Sequence, residues 1–271
     1  MIDTHAHLTC QFKRRGHTTK PIPVQLKDAR NAGISHIVNI ILENYTNELK
    51  SLLPYLKSEP QILISAGIHP ESITDQANTR NQVKILDKFI LKNRHIISAI
   101  GECGIDYFDT TCNKQMQFEL FNQCLVSANK FKLPIIIHTR PSSLTTDDAY
   151  LDMYHLLKSA NIAYPFVMHC FSTGKSIVKK FLDIGAYIGF DGNITYPNAQ
   201  RIQEAASYTP LNRILIETDS PFLAPQAYRG QINEPAYVIE VAKKLAEIKN
   251  IDITKVEKQT DRNASLFFCT E

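Results

Sequence analysis

Eight short apolar runs recur along the 271 residues, and segments with helical periodicity separate them. Because strands that alternate with helices at this spacing form parallel βαβ units, the pattern predicts one parallel sheet connected by helices. Eight such units in about 250 residues match a (βα)8 barrel of the TIM type, and a doubly wound open sheet is the alternative. The predicted strands are Ile2–His5, His36–Ile41, Ile62–Gly67, Ile97–Gly101, Pro134–His138, Phe166–His169, Ala186–Gly189 and Ile214–Glu217.

Helical segments lie between these runs. The 3.6-residue period predicts helices over Asn81–Lys92, Lys114–Lys130 and Gly174–Ile184, and closing helices over Pro235–Phe268 that cover the barrel. The chain contains no linker-like or low-complexity tract, so we expect one domain over residues 1–271.

Composition and charge limit the classes of function. A net charge of +3 permits an anionic substrate but does not require one. The chain has no apolar run of transmembrane length and no signal-peptide pattern at its start, so we expect a cytoplasmic protein. No two cysteines form a C-x-x-C pair, which favours reduced thiols at Cys10, Cys103, Cys112, Cys124, Cys170 and Cys269.

Side chains that ligate metals stand at the carboxyl ends of the predicted strands. In a barrel these ends form one face, where active sites lie. His5 and His7 are two residues apart, so both are expected to point the same way, and Glu217 and Asp219 repeat this spacing after the eighth run. The candidate ligands are His5, His7, Glu102, His138, His169 and Asp219.

The size of this set predicts two divalent ions. A mononuclear catalytic site usually has three protein ligands and a water, whereas two ions that share a carboxylate would use all six residues. Glu102, on the middle strand, is the expected bridge. The two sets are then His5, His7 and Asp219 for one ion, and His138 and His169 for the other. The sequence does not determine whether the metal is Zn²⁺, Mg²⁺ or Mn²⁺.

Longer motifs resemble those of the TatD-type metal-dependent deoxyribonucleases, which are amidohydrolase-like barrels. In chain order the matching segments are DTHAHL, GIHP, GECGIDY, IIHTR, MHCFSTG, ETDSPFLAP, the RG…NEP of residues 229–235 and the N-x-S-L-F of Asn263–Phe267. The resemblance covers nearly the whole chain. It implies a (βα)8 barrel that hydrolyses DNA phosphodiester bonds, with 3′-to-5′ exonuclease activity, and the same six ligands.

The predicted reaction is hydrolysis by a water that the two cations activate. Glu217 is the first candidate to move a proton from this water and Asp219 the second, while a hydrogen bond to a metal ligand is the alternative role for Glu217. Arg140 and Arg229 are candidates for contact with the phosphate, with an ion pair to an acid at the barrel rim as the alternative. His69 is expected to contact the substrate or to ligate weakly.

Two segments depart from the family pattern. The CFSTG after His169 stands where the family more often has the shorter CFSG, which affects the local loop. In the TRPSS after His138, no acid follows the arginine, whereas the family usually has Asp or Glu shortly after it. Asp147 and Asp148 are the candidates to replace that acid.

Two further groups lie in loops on the same face. Asp106, which follows Glu102, is expected to stabilise a turn rather than to take part in the chemistry. The run Lys13-Arg14-Arg15 follows the first strand and could contact a nucleic-acid backbone, although a solvated loop is the simpler interpretation.

Other functions fit the same scaffold, because a fold does not determine a reaction. The alternatives are a metal-dependent amidase, lactonase or aminoacyl-tRNA ester hydrolase, and a non-catalytic metal-loaded scaffold that binds protein or nucleic acid. The modified bridging lysine of ordinary amidohydrolases would need a lysine where Glu102 stands. We therefore favour DNA as the substrate, as single strands or 3′ ends, for a monomeric enzyme with no obligate protein partner.

Overall fold

The computed structural model describes residues 1–42, 44–58, 60–73, 75–108, 113–143 and 145–269, so Cys112 lies outside the described residues. Eight parallel strands pair in the order of the chain, and an isolated bridge joins Ala6 of the first strand to Ser220, just after the last strand. This confirms the (βα)8 barrel, because a doubly wound sheet would not keep strand order and chain order identical. The strands are β1 (Ile2–Ala6), β2 (His36–Ile41), β3 (Gln61–Ala66), β4 (Ile97–Asp106), β5 (Ile135–Arg140), β6 (Phe166–Met168), β7 (Tyr187–Phe190) and β8 (Ile214–Ile216).

In the part of the chain that the structure describes, seven helices lie between the strands, and two more follow the last strand. They are α1 (Ile22–Asn31), α2 (Tyr45–Leu52), α3 (Gln76–Lys92), α4 (Lys114–Phe131), α5 (Asp148–Ser159), α6 (Lys175–Asp183), α7 (Gln200–Tyr208), α8 (Val238–Lys249) and α9 (Ile253–Phe268). Among the described residues, no helix combines the length and the apolar character needed to cross a membrane.

Most predicted strands and helices agree with the observed bounds to within one or two residues, and two elements differ by more, for identifiable reasons. The helix predicted from Asn81 begins at Gln76, because the Asp75 side chain accepts a hydrogen bond from the backbone N–H of Asn78 at 2.8 Å and caps the helix there. The fourth strand does not end at Gly101 but continues to Asp106, because it stays paired with β5 up to Arg140.

Two hydrophobic cores hold the barrel. The larger core lies between the strands and the surrounding helices. The smaller core fills the barrel interior, and α9 closes it at the amino-terminal end of the strands, where Asp261 accepts a hydrogen bond from the backbone N–H of Ile2 at 2.9 Å. The interior core comprises Ile2, Val38, Ile40, Leu63, Ala99, Ile136, Val167 and Leu215, together with Ala264, Phe267 and Phe268 of α9.

A short hairpin projects from the loop between β1 and α1. Its two-residue strands, Lys13–Arg14 and His17–Thr18, pair in antiparallel fashion and are exposed. Arg15 and Gly16 form the turn with φ values of 50° and 85°, the conformation of a type I′ turn, whose twist matches that of the flanking strands.

Asn263 attaches α9 to the segment that enters β8. Its buried side-chain amide donates hydrogen bonds to the backbone carbonyls of Leu211 and Ile214, each at 2.8 Å. Without this amide, two carbonyls near the base of the barrel would lose their side-chain donor, and an unmet buried acceptor costs roughly 1–3 kcal/mol.

We therefore predict that Asn263→Ala lowers the free energy of unfolding by about 2–4 kcal/mol. Urea denaturation at equilibrium measures this. The exposed Lys258 lies on the same helix, and Lys258→Ala, as the control, should change the free energy of unfolding by less than about 0.5 kcal/mol. Equal stabilities of the two variants would contradict this role for Asn263.

Candidate metal centre

The first predicted set of ligands converges on one point above β1. The Nε2 atoms of His5 and His7 lie 3.4 and 3.8 Å from Oε2 of Glu102. The same two nitrogens lie 3.7 and 3.4 Å from Oδ1 of Asp219. Two imidazoles thus face two carboxylates at distances that leave room for a cation among them.

The second set lies on the other side of the Glu102 carboxylate. Its Oε1 is 2.6 Å from Nδ1 of His138 and 3.5 Å from Nε2 of His169. Nε2 of His69 is 3.8 Å from the same oxygen. Glu102 therefore divides its two oxygens between two groups of histidines, which is the arrangement expected of a bridging ligand.

His5 provides the test of whether these residues fit a cation. Its ring is fully buried and stacks on His169, with the ring centroids 3.5 Å apart and an interplanar angle of 14°. Within the described part of the chain, neither ring nitrogen has a hydrogen-bond partner of acceptable geometry. A buried polar nitrogen without a partner is costly, and coordination would satisfy Nε2. The donor set therefore fits a divalent metal.

Several triads in the described residues have donor atoms within 4.8 Å of one another. Two of these triads are the predicted sets, which are His5 with His7 and Asp219, and Glu102 with His138 and His169. A third triad places His69 beside His138, with their rings 4.4 Å apart. The number of ions remains a prediction, and His69 stands next to the second set.

Asp106 orients His138, a contact that sequence reasoning missed. Its Oδ2 lies 2.9 Å from Nε2 of His138, while its Oδ1 accepts a hydrogen bond from the backbone N–H of Phe108 at 2.8 Å. The predicted turn contact is therefore present beside the contact to the ligand. His138 pairs with Gly104 in the sheet, so Glu102 and Asp106 flank it at two residues on either side along β4.

Gly104 is required for this register. A Cβ atom at this position would collide with the backbone carbonyl of His138. The motif GECGIDY thus encodes two acids on one face of a strand, with a glycine between them that admits the neighbouring strand.

Glu217 lies behind His169, away from the opening of the site. It is 1% exposed, and its Oε1 lies 2.9 Å from Nδ1 of His169 and accepts a hydrogen bond from the backbone N–H of Cys170 at 2.6 Å. Gly189 leaves space for this carboxylate, since a Cβ there would lie 2.5 Å from Oε1. This placement favours the second role considered for Glu217, a hydrogen bond to a metal ligand.

The expectation that Glu217 and Asp219 point the same way is wrong. Asp219 has a φ of 55°, in the left-handed region, so the alternation of an extended strand stops before it. The two acids instead contact opposite nitrogens of His169, with Oδ1 of Asp219 lying 3.9 Å from Nε2. The backbone of this loop is fixed by hydrogen bonds from Asp219 N to His5 O at 2.9 Å and from His7 N to Ser220 O at 2.8 Å.

A third buried acid, Asp3, ties β1 to the loop after β8. It accepts hydrogen bonds from the backbone N–H and the hydroxyl of Thr218, at 2.9 and 2.7 Å. Burial raises the pKa of Asp3 to about 8, although the Thr218 contacts oppose this rise. Asp3 stands two residues before His5 in the sequence. The sequence prediction gave it no role, because its partner Thr218 lies more than 200 residues away.

The electrostatics of the centre couple carboxylates to imidazoles. Burial lowers the pKa of His138, but the charges of Glu102 and Asp106 outweigh it and raise this pKa to about 9. In the same way, Glu217 and Glu102 overcome burial and raise the pKa of His169 to about 10. Protons and divalent cations therefore compete for these two imidazoles.

Five of the six candidate ligands, all except the buried His5, line a cavity of about 1330 Å³ at the carboxyl ends of the strands. Both predicted phosphate contacts line it. Arg140 lies over the ring of Phe108 at 4.1 Å, and its Nη1 is 3.9 Å from Oδ2 of Asp106. Arg229 lies over the ring of Tyr196 at 3.8 Å. The alternative of a rim ion pair thus applies to Arg140, whereas among the described residues no acid pairs with Arg229.

The two departures from the family pattern meet at the cavity rim. Thr173 of the CFSTG segment donates a hydrogen bond to Asp147, and Arg201 forms an ion pair with Asp147 at 2.7 Å. Asp148 accepts a hydrogen bond from the hydroxyl of Ser142 at 2.6 Å. Asp148 thus contacts the TRPSS segment itself, and the replacement of the family's acid by Asp147 or Asp148 stays a prediction. The five described cysteines are free, as predicted.

Comparison with known proteins agrees with this geometry. Residues 2–269 match the family described as TatD related DNase. A metal-dependent hydrolase of Buchnera aphidicola subsp. Baizongia pistaciae is 34% identical over 266 residues, which cover 97% of this chain and 94% of that protein. The metal-dependent hydrolase YcfH of Escherichia coli K12 is 30% identical over 269 residues, which cover 99% and 95% of the two chains. Both relatives are described as uncharacterized.

Among solved structures, the TatD homologue YJJV of Escherichia coli superposes with a TM-score of 0.84. The alignment covers 100% of this chain and 98% of that one at 23% identity. At this identity the likeness supports the fold.

We predict that Glu217→Gln lowers the affinity for Zn²⁺ or Mn²⁺ by about 10- to 100-fold, because the amide no longer supplies the negative charge that orients His169 and raises its basicity. Competition with a chromophoric chelator measures this affinity. The control Glu257→Gln removes one charge from α9, on the opposite side of the barrel. Unchanged metal affinity with a lower turnover number would instead return the proton-transfer role to Glu217.

Proposed function

The chain belongs to the TatD-related DNase family and is a metal-dependent hydrolase, and from this premise we propose that it cleaves the phosphodiester bonds of DNA. The division of the Glu102 carboxylate between two groups of histidines is the observation that carries the proposal. It supports a centre of two divalent ions, with His5, His7 and Asp219 on one ion, His138 and His169 on the other, and Glu102 between them.

Two ions bound by these residues would supply a nucleophile at neutral pH and would neutralise charge on the phosphate. The protein contributes the orientation of the ligands. Asp106 fixes His138 and Glu217 fixes His169, so the second set of donors cannot rotate freely. Glu102 is 4% exposed, and His169 and His138 keep its pKa well below the usual value in spite of its burial, so it is ionised.

Asp219 is the carboxylate that we assign to proton transfer. Its side chain is 14% exposed and lines the cavity, whereas Glu217 is enclosed behind His169. An attacking water in the cavity can therefore pass its proton to Asp219, which lies within reach of both sets of histidines.

Arg140 and Arg229 are the groups that we assign to the phosphate. Each guanidinium lies over an aromatic ring that lines the cavity, at 4.1 Å from the Phe108 centroid for Arg140 and 3.8 Å from the Tyr196 centroid for Arg229. A planar fork of donors binds phosphate oxygens in pairs and stabilises charge that develops there. His69, beside Oε1 of Glu102, contacts the same phosphate.

The remaining parts of the proposal rest on the family resemblance and the sequence. They are 3′-to-5′ exonuclease activity, a preference for single strands or 3′ ends, a monomeric state without an obligate protein partner, and a cytoplasmic location.

We predict that the metal-loaded protein shortens a 5′-labelled single-stranded oligonucleotide into a ladder from its 3′ end. Glu102→Gln and Asp219→Asn should each lower the rate by about 10³-fold or more, because each removes a charge that the reaction depends on. Denaturing gel electrophoresis after reloading with Mg²⁺, Mn²⁺ or Zn²⁺ measures this, with Glu257→Gln as the active control.

Stoichiometric metal binding without cleavage of DNA by any of the three metals would contradict the proposal. Hydrolysis of carboxylic esters, lactones, amides or aminoacyl-tRNA under the same conditions would then identify the alternative reaction.

A further inference from the structure

Three cations of the hairpin have no acidic partner among the described residues. Lys13, Arg14 and Arg15 are exposed, and no ion pair joins any of them to a described carboxylate. Lys20, five residues further on, shows the contrast, because its Nζ pairs with Asp28 at 2.7 Å and with Glu234 at 2.8 Å. The three charges are thus available to an external anion.

The backbone of the hairpin that carries these charges is held at both ends. At its base the backbone N–H of Phe12 donates to the hydroxyl of Thr19 at 2.9 Å, and the N–H of Thr19 donates to the carbonyl of Phe12 at 3.0 Å. Thr19 is buried, and the type I′ turn closes the other end. A charged surface that is ordered before binding loses less entropy when it binds.

Ring contacts connect the base of the hairpin to the metal centre. His7 meets Phe222 with the ring centroids 6.0 Å apart, and Phe222 meets Phe12 at 5.2 Å. Phe222 is 37% exposed and lines the cavity, so an aromatic surface lies between the centre and the hairpin. Arg15 also turns toward the cavity rim, since its Nη1 lies 3.2 Å from the position that a Cβ of Gly230 would take, next to Arg229.

An extended polyanion can contact the metal centre and these cations at the same time. Exposed aromatic rings interleaved with cations are the features that bind single-stranded nucleic acid, in which bases stack and phosphates pair with the cations. The hairpin tip, Arg15-Gly16-His17, carries no apolar side chain that could enter a lipid surface.

We propose that the hairpin Lys13–Thr18 binds the phosphodiester backbone of a single-stranded nucleic acid beyond the nucleotides at the metal centre, and that a base stacks on Phe222 between the two. The proposal rests on the proposed function, because it extends the substrate of the same site. Affinity should therefore increase with the length of the oligonucleotide until the strand reaches the hairpin.

Fluorescence anisotropy with hydrolysis-resistant phosphorothioate oligonucleotides of 2 and 12 nucleotides tests this without requiring cleavage. In the triple variant Lys13→Ala, Arg14→Ala, Arg15→Ala, affinity for the 12-mer should fall at least about tenfold at low salt. The slope of log K against log salt should become shallower by about 2, since each phosphate contact contributes roughly 0.7 for a single strand. The preference for the 12-mer over the 2-mer should fall with it.

The matched control Lys255→Ala, Lys258→Ala, Arg262→Ala removes the same charge from exposed positions of α9, at the opposite end of the barrel. It should keep the 12-mer affinity and the salt slope of the unmodified protein. Circular dichroism melting of both variants verifies that they are folded.

Three results would overturn the inference while the proposed function stands. The first is an unchanged salt slope in the hairpin variant when the unmodified protein cleaves DNA, and the second is an equal loss of 12-mer affinity in the α9 variant. Loss of binding to vesicles of anionic lipid, with 12-mer affinity unchanged, would also overturn it and assign the hairpin to membranes. If the unmodified protein neither binds nor cleaves the oligonucleotides, the proposed function fails as well.

Discussion

The Glu102 carboxylate is the constraint on which the rest of the site depends. Its two oxygens face different groups of histidines, and both groups must approach it without clashing. Gly67 and Gly104 make this approach possible, because a Cβ at Gly67 would collide with the backbone of Glu102 and one at Gly104 with that of His138. The two strands next to β4 can therefore pack closely against it, and His69 and His138, which these strands position, reach the Glu102 carboxylate.

Buried acids beneath the cavity give the centre its rigidity. Asp106, Glu217 and Asp3 respectively contact His138, His169 and the backbone of the loop after β8. A buried polar group is tolerated only where it has hydrogen-bond partners, so each acid fixes the group that satisfies it. The apolar interior and α9 lie at the other end of the strands, where they stabilise the barrel and leave its carboxyl face free for polar groups.

Much of this arrangement could be predicted from the sequence, because it follows from periodicity. The alternation of apolar runs predicts the barrel, and the residues at the ends of these runs include the histidines and acids that converge. The roles of Asp106 and Asp3 could not be predicted, since they depend on the register between strands and on partners far away in the chain. The positions of Glu217 and Asp219 differ because Asp219 adopts a left-handed backbone conformation, which the alternation of a strand does not anticipate.

Anomalous diffraction from crystals soaked with Mn²⁺ or Zn²⁺ would test the central claim most directly. The account predicts two peaks about 3.5–4 Å apart, one on each side of the Glu102 carboxylate. One peak should lie among His5, His7 and Asp219, and the other beside His138 and His169. A single peak at full occupancy, or two peaks that do not share Glu102, would contradict it.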